Sequence, residues 1–252
     1  MKIELDTHTH TLASSHAYST LQENVRYAAS IGHKGICMTD HGPFLPDAPH
    51  QWHFGCLRYI PEYVEGIRVI TGVEANILDE NGTTELDVER SKGGLKDYLK
   101  YSNGFEVVIA STHSPIYEIT DPKLNTQMWL KIAENPYVDI IGHCGADKYA
   151  FDYERVIKEF AKNGKIVEIN AHSFDCRPGS EKNCPEIARL CKAYGVPVVL
   201  SSDAHICYDI GNVDRAVKMV EELGFTEKEV LNTNLEEFLY YLQNRQKTAK
   251  VK

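Results

Sequence analysis

The sequence predicts an α/β protein, a closed or nearly closed barrel of parallel strands in a single domain. Short β-branched runs alternate with amphipathic stretches from end to end, which is the pattern of βα units that build a parallel sheet. The length of 252 residues fits one undivided α/β barrel. A doubly wound open sheet is the alternative. Its dinucleotide-binding version is disfavoured because the first βα turn lacks a glycine-rich phosphate loop.

Seven apolar runs have the length and the β-branched composition of buried strands. In chain order they are Ile3–His8, Gly35–Thr39, Arg68–Val73, Glu106–Ser111, Val138–Ile141, Ile166–Ile169 and Val196–Leu200. The carboxyl ends of parallel barrel strands meet on one face, so we expect the residues that follow these runs to lie close together.

Amphipathic stretches between the strands predict helices. They are Thr20–Ser30, Asn125–Glu134, Tyr153–Lys162, Pro185–Tyr194, Val213–Leu223 and Leu235–Asn244. Residues 1–245 form the predicted domain, and the polar residues 246–252 are predicted to be a frayed tail. Two long connections, Gly42–Glu65 and Ile77–Phe105, follow the second and third strands, where loops build the walls of an active site.

The charge of the chain limits the classes of partner. Its net charge is −9, with 36 acidic residues against 27 basic ones, and no Lys/Arg stripe is present. Proteins that bind extended nucleic acids need such a stripe to displace counterions, so we expect no extended nucleic-acid partner. A small anionic substrate remains compatible, because a local metal cluster can outweigh the overall field.

The cysteines and the hydropathy of the chain predict a cytoplasmic protein. The seven cysteines are scattered and form no CxxC motif, so we expect reduced thiols rather than a disulfide scaffold. The first ten residues already carry polar residues of functional type, so we expect no signal peptide. No apolar run approaches the length of a membrane span, so we expect no membrane partner.

Residues of metal-binding type follow the carboxyl ends of the predicted strands. His8 and His10 are two positions apart as the first strand ends, so both imidazoles point to the same side. His16 lies in the loop that follows them. The full set of nine is His8, His10, His16, His41, Glu74, His113, His143, Asp203 and His205. A chance match of so many strand ends is implausible, so the pattern predicts one metal-binding cleft.

Nine ligands exceed the needs of one ion, because a catalytic zinc takes about three protein ligands. They fill three divalent sites if Glu74 is shared. The predicted groups are His8, His10, Glu74 and Asp203; Glu74, His113 and His143; and His16, His41 and His205. Zinc is the first choice, with manganese or iron as alternatives. Two carboxylates against three divalent ions leave a formal excess of about four positive charges, which favours a phosphate ester as substrate.

The chemistry of such a cluster needs no protein nucleophile. A metal ion lowers the pKa of its bound water to about 7, so a metal-bound hydroxide can attack the ester. His50 and His53 are predicted to line the pocket rather than bind metal. Asp6 and Asp40 stand next to ligands and are either partners that orient an imidazole or surface or capping residues.

At these residues the sequence resembles the PHP (polymerase and histidinol phosphatase) superfamily, and within it the YcdX-type bacterial phosphatases with a trinuclear zinc centre. The matching stretches are Asp6–His10, Ser15–Leu21, Thr39–Pro43, Asp47–Phe54, Gly72–Ile77, Asn125–Gln127, Glu168–Asn170, Arg177–Cys184 and Ser202–His205. The resemblance implies a distorted (β/α)7 barrel, the same nine ligands, and hydrolysis of small phosphomonoesters. It also implies a basic residue at the phosphate, for which Arg177 is the candidate; the alternative is an exposed loop arginine.

The chain departs from the family pattern at a few places that bear on substrate choice. Thr83–Gly104 is longer, Cys144 replaces the expected proline after His143, and Ser111 and Thr112 replace a Gly-Phe pair.

Three alternatives to a general phosphomonoesterase stay open. They are a phosphodiesterase or nuclease acting on short nucleic acids, a histidinol-phosphate phosphatase, and a metal-binding regulator without catalysis. The oligomeric state is not predicted.

Overall fold

The computed structural model describes residues 1–100 and 105–249, and within them one sheet of eight strands forms a nearly closed barrel. The strands are β1 Leu5–Thr9, β2 Gly35–Met38, β3 Tyr63–Val64, β4 Ile67–Asn76, β5 Val107–Ser111, β6 Ile140–Ile141, β7 Ile166–Asn170 and β8 Val198–Ser201. Seven of them pair in parallel in the order β1-β2-β4-β5-β6-β7-β8, and the short β3 pairs antiparallel with β4.

The first and last strands meet at the carboxyl end. Thr9 and Ala204 form an isolated parallel bridge there, and the His10 amide donates to the Ala204 carbonyl at 2.9 Å. This contact joins the two edges of the sheet, so the predicted barrel in a single α/β domain is confirmed. Each predicted strand is present, with ends that differ by at most three residues.

The helices surround the sheet. They are α1 Leu21–Ser30, α2 Trp52–Cys56, α3 Pro122–Glu134, α4 Tyr153–Lys162, α5 Ser173–Cys176, α6 Ser180–Tyr194, α7 Asp214–Glu222 and α8 Leu235–Ala249. The short α2 and α5, and β3, were not predicted, because a single turn or a two-residue strand leaves no periodic signal.

Local chemistry explains where several helix ends differ from the prediction. Thr20 caps α1 instead of belonging to it, because its side chain accepts from the Glu23 amide. Asp121 caps α3, which therefore begins at Pro122, a residue whose missing N–H costs nothing in the first turn.

Two larger differences concern α6 and the chain end. The prediction started one helix at Pro185, but α6 begins at Ser180, directly after Gly179 in the left-handed conformation (φ 90°). Helix α8 continues to Ala249, so the first residues of the predicted tail are helical, and residues 250–252 lie outside the described part.

Strand alternation divides the core into two layers. In β5, Val107 and Ile109 point into the barrel, whereas Val108 and Ala110 pack against the outer helices. The inner layer at the amino ends of the strands is apolar, and Phe238 of α8 packs into it. Helix α8 thus closes the foot of the barrel, and the carboxyl ends of the strands form the opposite, open face. Among the helices that the structure describes, none is long and apolar enough to cross a bilayer.

Candidate metal centre

The structure brings all nine predicted residues into one cluster at the carboxyl ends of the strands. The imidazole centroid of His10 lies 4.3 Å from that of His41 and 4.3 Å from that of His205. His16 stacks on His205 at 4.4 Å. On the other side of the cluster, His113 lies 5.0 Å from His41 and 5.2 Å from His143, ring centre to ring centre.

One compact group has four members. The ligand atoms of His8, His10, Glu74 and Asp203 all lie within 4.8 Å of one another, and all four residues are buried. His10 Nε2 is 3.1 Å from Asp203 Oδ1, and His8 Nε2 is 3.2 Å from Glu74 Oε2. These residues are the same as those of the first group predicted from the sequence.

Glu74 stands at the centre of the cluster. Its Oε1 is 3.1 Å from His113 Nε2 and 2.9 Å from His143 Nε2. Its Oε2 is 2.9 Å from His41 Nδ1, in addition to the contact with His8. His10 Nε2 lies 3.6 Å from the same Oε2. Each carboxylate oxygen therefore faces histidines from two different strands, which is an arrangement that suits a carboxylate shared by two cations.

His41 and His16 depart from the predicted grouping. His41 belongs to two compact groups, one with His10 and His205 and one with Glu74 and His113, whereas the sequence assigned it to one. His16 is part of neither, and 48% of its side chain is exposed. Its Nδ1 donates to Asp47, so only Nε2 is free to face the cluster from the open side.

Unpartnered atoms test whether these residues fit metal ions. Of the described residues, those at the cluster with buried side-chain atoms that make no hydrogen bond are His8, His41, Glu74, His113 and His205. A buried polar atom without a partner costs about 1–3 kcal/mol. Five such residues facing one another would be a large penalty in a protein that binds nothing there. Divalent cations would satisfy these atoms, so the donor set fits a metal cluster.

The protonation of the histidines agrees with that fit. Burial, together with His41 and His205, lowers the pKa of His10 to about 3, and burial next to Arg177 lowers the pKa of His143 to about 4. These imidazoles are neutral at pH 7, as metal ligands must be. Burial would also lower the pKa of His8, but the carboxylates around it raise that pKa well above its usual value. The carboxylates thus require positive charge at this point, which a cation would supply.

Glu168 is a residue of the site that the strand-end reasoning missed. Its carboxylate accepts from His8 Nδ1, from the His143 amide and from Ser201 Oγ, each at 2.7 Å. It fixes the ring of His8 so that Nε2 faces Glu74. The signal was available, because Glu168 points into the barrel two residues after Ile166 on the same strand.

Asp40 and Asp6 do not contact a ligand imidazole at hydrogen-bond distance. Asp40 accepts from the amide and hydroxyl of Thr11, both at 2.8 Å, and from Ser14 Oγ at 2.9 Å. Burial would raise the pKa of Asp40, but its hydrogen bonds, that from His53 first, lower it to about 2. Asp6 accepts from the amides of Ser202 (3.2 Å) and Gly211 (2.9 Å). Both aspartates brace the loops that carry the ligands.

A cleft of about 650 Å³ opens above the cluster. His16, His41, His113, Asp203 and His205 form its floor, and its walls include Arg177, Asp175 and Arg215. Arg177 donates to Asp203 Oδ2 and to Ser173 Oγ, both at 3.1 Å, and 21% of its side chain is exposed. Its guanidinium therefore borders both the cluster and the open cleft.

His50 and His53 are not among the residues that line this cleft, contrary to the expectation. His50 is exposed in a turn, where its Nδ1 accepts from the Trp52 amide at 3.2 Å. His53 turns to Asp40, with its Nε2 at 3.2 Å from Asp40 Oδ2. The sequence could not reveal that the long connection after β2 folds these rings away from the cleft.

Comparison with known proteins gives consistent results. Residues 6–172 match the PHP domain family. A protein of Caldanaerobacter subterraneus subsp. tengcongensis named "Probable phosphatase" is 45% identical over 249 residues, which cover 98% of this chain and 94% of the relative. A protein of the same description from Acetivibrio thermocellus is 40% identical over 252 residues, with full coverage of both chains.

Among solved structures, the fold is similar to histidinol phosphate phosphatase from Lactococcus lactis subsp. lactis, which was solved with zinc, L-histidinol and phosphate. The TM-score is 0.60 at 18% identity, and the match covers 88% of this chain and 94% of the other. At that identity the likeness concerns the fold alone.

Proposed function

This chain belongs to the PHP domain family, and we propose that it is a phosphatase of small phosphomonoesters that works with three divalent metal ions. Hydrolysis of phosphoric ester bonds is the activity that the family and the named relatives give. The finer statements, the number of ions and the monoester class, rest on the geometry of the cluster.

The observation that carries the proposal is the position of Glu74. Its two oxygens face five histidines, two on Oε1 and three on Oε2, so one carboxylate can join two cations. A first ion would be held by His8, His10, Glu74 and Asp203, and a second by Glu74, His113 and His143. A third would be held by His16, His41 and His205. The place of His41 between two groups lets it serve either neighbouring ion.

Zinc is the ion that best suits this donor set. The donors are imidazoles and carboxylates, which zinc accepts in tetrahedral or five-coordinate sites. Zinc is also bound in the Lactococcus phosphatase that shares the fold. Manganese and iron remain chemically compatible with the same ligands.

The charge balance favours an anionic substrate. Three divalent ions against Glu74 and Asp203 leave a formal excess of about four positive charges. The buried Glu168 and Asp40 add two negative charges, and Arg177 adds one positive charge, so about three positive charges remain. A phosphate monoester dianion offsets most of that excess, whereas a neutral amide offsets none.

When bound, the divalent ions would ionise a coordinated water near pH 7 and neutralise charge on the transferred phosphoryl group. The protein residues then have positioning roles. Arg177, which lines the cleft, would bind two oxygens of the phosphate with its guanidinium. Glu168 and Asp47 hold the rings of His8 and His16 by their Nδ1 atoms, which keeps each Nε2 directed at the cluster.

The test compares a monoester with a diester on the same protein. We expect zinc-loaded protein to release nitrophenol from mononitrophenyl phosphate much faster than from the bis-ester. The Glu74→Gln variant, assayed in parallel, controls for contaminating phosphatases. Exclusive turnover of the bis-ester would reject the monoesterase and favour the phosphodiesterase alternative. Histidinol phosphate, tested with other phosphorylated metabolites, decides whether that narrower activity applies.

A further inference from the structure

We propose that Asn76 and Glu85 are positioning residues that form a hydrogen-bonded relay from the long connection after β4 to His113. The relay sets which nitrogen of the His113 imidazole faces the metal cluster. This inference deepens the proposed function and rests on it for the role of His113 as a ligand. Neither Asn76 nor Glu85 was singled out by the sequence.

The relay begins at the end of β4. Asn76 is the last residue of that strand and is fully buried. Its Oδ1 lies 2.7 Å from His113 Nδ1. On its other side, Nδ2 donates to the Gly42 carbonyl at 3.0 Å and to Glu85 Oε1. The amide therefore stands between the histidine and a buried carboxylate.

The donors and acceptors fix the direction of every bond. The Gly42 carbonyl can only accept, so the group of Asn76 that faces it must be the NH2 group. The oxygen of Asn76 then faces His113, and it can only accept. His113 Nδ1 must carry a proton, which in the neutral ring leaves Nε2 with a free lone pair 3.1 Å from Glu74 Oε1. That nitrogen is the one that a metal ion between His113 and Glu74 needs.

Glu85 holds Asn76 in place. Its carboxylate also accepts from the Asn76 amide at 2.7 Å and from the Phe44 amide at 3.3 Å, and the residue is fully buried. A Cβ at Gly42 would lie 2.6 Å from Glu85 Oε1, so only glycine lets the carboxylate reach this position. Glu85 thus ties three segments together: the end of β4, the turn after His41, and the segment Thr83–Gly104, of which residues 101–104 lie outside the described part.

The first experiment measures metal retention instead of activity. We expect Asn76→Ala to lose one of its bound ions to a competing chelator about 10–100-fold more readily than the wild type, because partners that orient ligands contribute that much to metal affinity. Metal content is followed by elemental analysis along the chelator titration. Glu85→Gln should change retention in the same direction, because one amide oxygen cannot replace two acceptors.

Asn232→Ala is the matched control. Asn232 is also fully buried and bonds to the backbone of Leu5 and Leu200, but it lies next to the start of β1. We expect this variant to lose stability without any change in metal retention. If Asn76→Ala retains metal as the wild type does, or if Asn232→Ala loses it equally, the relay is rejected.

The second experiment needs no relay variant. In metal-free wild-type protein labelled with ¹⁵N-histidine, we expect NMR to show His113 as the tautomer with a protonated Nδ1. The signal is assigned by its absence from His113→Gln. The opposite tautomer, or an equal mixture, overturns the relay. Failure of the wild type to bind metal would instead reject the proposed function, and the tautomer measurement would still test the relay.

Discussion

The two ends of the barrel interior differ in chemistry although the same strands build both. In β4, Ile70 packs into the apolar foot, and Glu74, on the same face four residues later, sits in the cluster. In β7, the inward-facing side chains likewise change from apolar to charged within three residues, from Ile166 in the foot to Glu168 beside His8. At the foot, apolar side chains fill the space and α8 covers it. At the open face, buried polar atoms lack partners.

The backbone shows the same contrast. Among the described residues, the non-glycine positions with positive φ include His143 (φ 20°) and Asp203 (φ 54°), both in the cluster. Such conformations cost about 1–3 kcal/mol each and persist where the surroundings impose them. The foot therefore stabilises the fold, and the open face gives up stability to hold its ligands in one geometry. The following predictions test this division.

The largest effect is expected for Glu74→Gln at the open face. The amide has one acceptor where the carboxylate has two and carries no charge, so it cannot join two cations. We expect the rate of monoester hydrolysis to fall by at least about 10³-fold, since metal ions supply several kcal/mol to such reactions. The midpoint of urea unfolding of the metal-free protein should not fall. A variant with more than a tenth of wild-type turnover would contradict the assignment of the chemistry to the open face.

Phe238→Ala at the foot should have the opposite profile. Phe238 is fully buried under the barrel, so its truncation should lower the free energy of unfolding by about 3–5 kcal/mol. Urea denaturation measures the loss, and Phe238→Leu, which keeps most of the volume, should lose less. The folded fraction should retain its metal content and turnover per molecule. A selective loss of activity would show that the foot also shapes the site.

Substitution of Arg177 should have an intermediate effect confined to the substrate. We expect Arg177→Lys to reduce kcat/KM by about 10–100-fold, because a charged, two-pronged hydrogen bond to phosphate contributes about 1.5–3 kcal/mol. Arg215→Lys is the control, since Arg215 lines the outer part of the same cleft and pairs with Asp175 and Glu181. Equal losses in both variants would remove the special role of Arg177.

The smallest effect is expected from pH on the metal-free protein. His10, His143 and His205 have lowered pKa values, so their stability contribution is full above about pH 6.5 and falls as pH decreases below it. His8, whose pKa the surrounding carboxylates raise, stays protonated in the folded protein while the unfolded chain loses that proton above about pH 6.5, so its contribution falls as pH rises to 7. Glu85, whose pKa burial raises to about 7, acts in the same direction as His8, and both oppose the three histidines with lowered pKa values. We expect weaker stability at pH 5 than at pH 7 in urea titrations. His143→Gln should reduce the difference, and a rise on acidification would contradict the account.

Much of the fold and of the cluster could be predicted, because both follow from strand periodicity. His8 and His10 are two positions apart on a strand, so they point to the same side. Together with Glu74, which directly follows an apolar run, they indicate which end of the barrel carries the metal-binding residues. The geometry supports the predicted nine as a set, and their roles as ligands remain a proposal. The path of the loops could not be predicted. The sequence therefore gave no indication that His53 turns to Asp40 or that Glu85 reaches Asn76.

The grouping of ligands was harder to predict than their identity. His41 lies between two groups because its ring faces both His10 and Glu74. These distances between residues of different strands depend on the curvature of the barrel, which the sequence does not show. Glu168 was not predicted because it lies inside its strand. Ligands were expected only among the residues that follow the strand ends.

The most direct test of the metal centre is anomalous X-ray diffraction at the zinc absorption edge from crystals of the zinc-loaded protein. The account predicts three anomalous peaks at the carboxyl ends of the strands, two of them joined by the carboxylate of Glu74. Absence of peaks there, or peaks bound by residues outside the predicted nine, would contradict it.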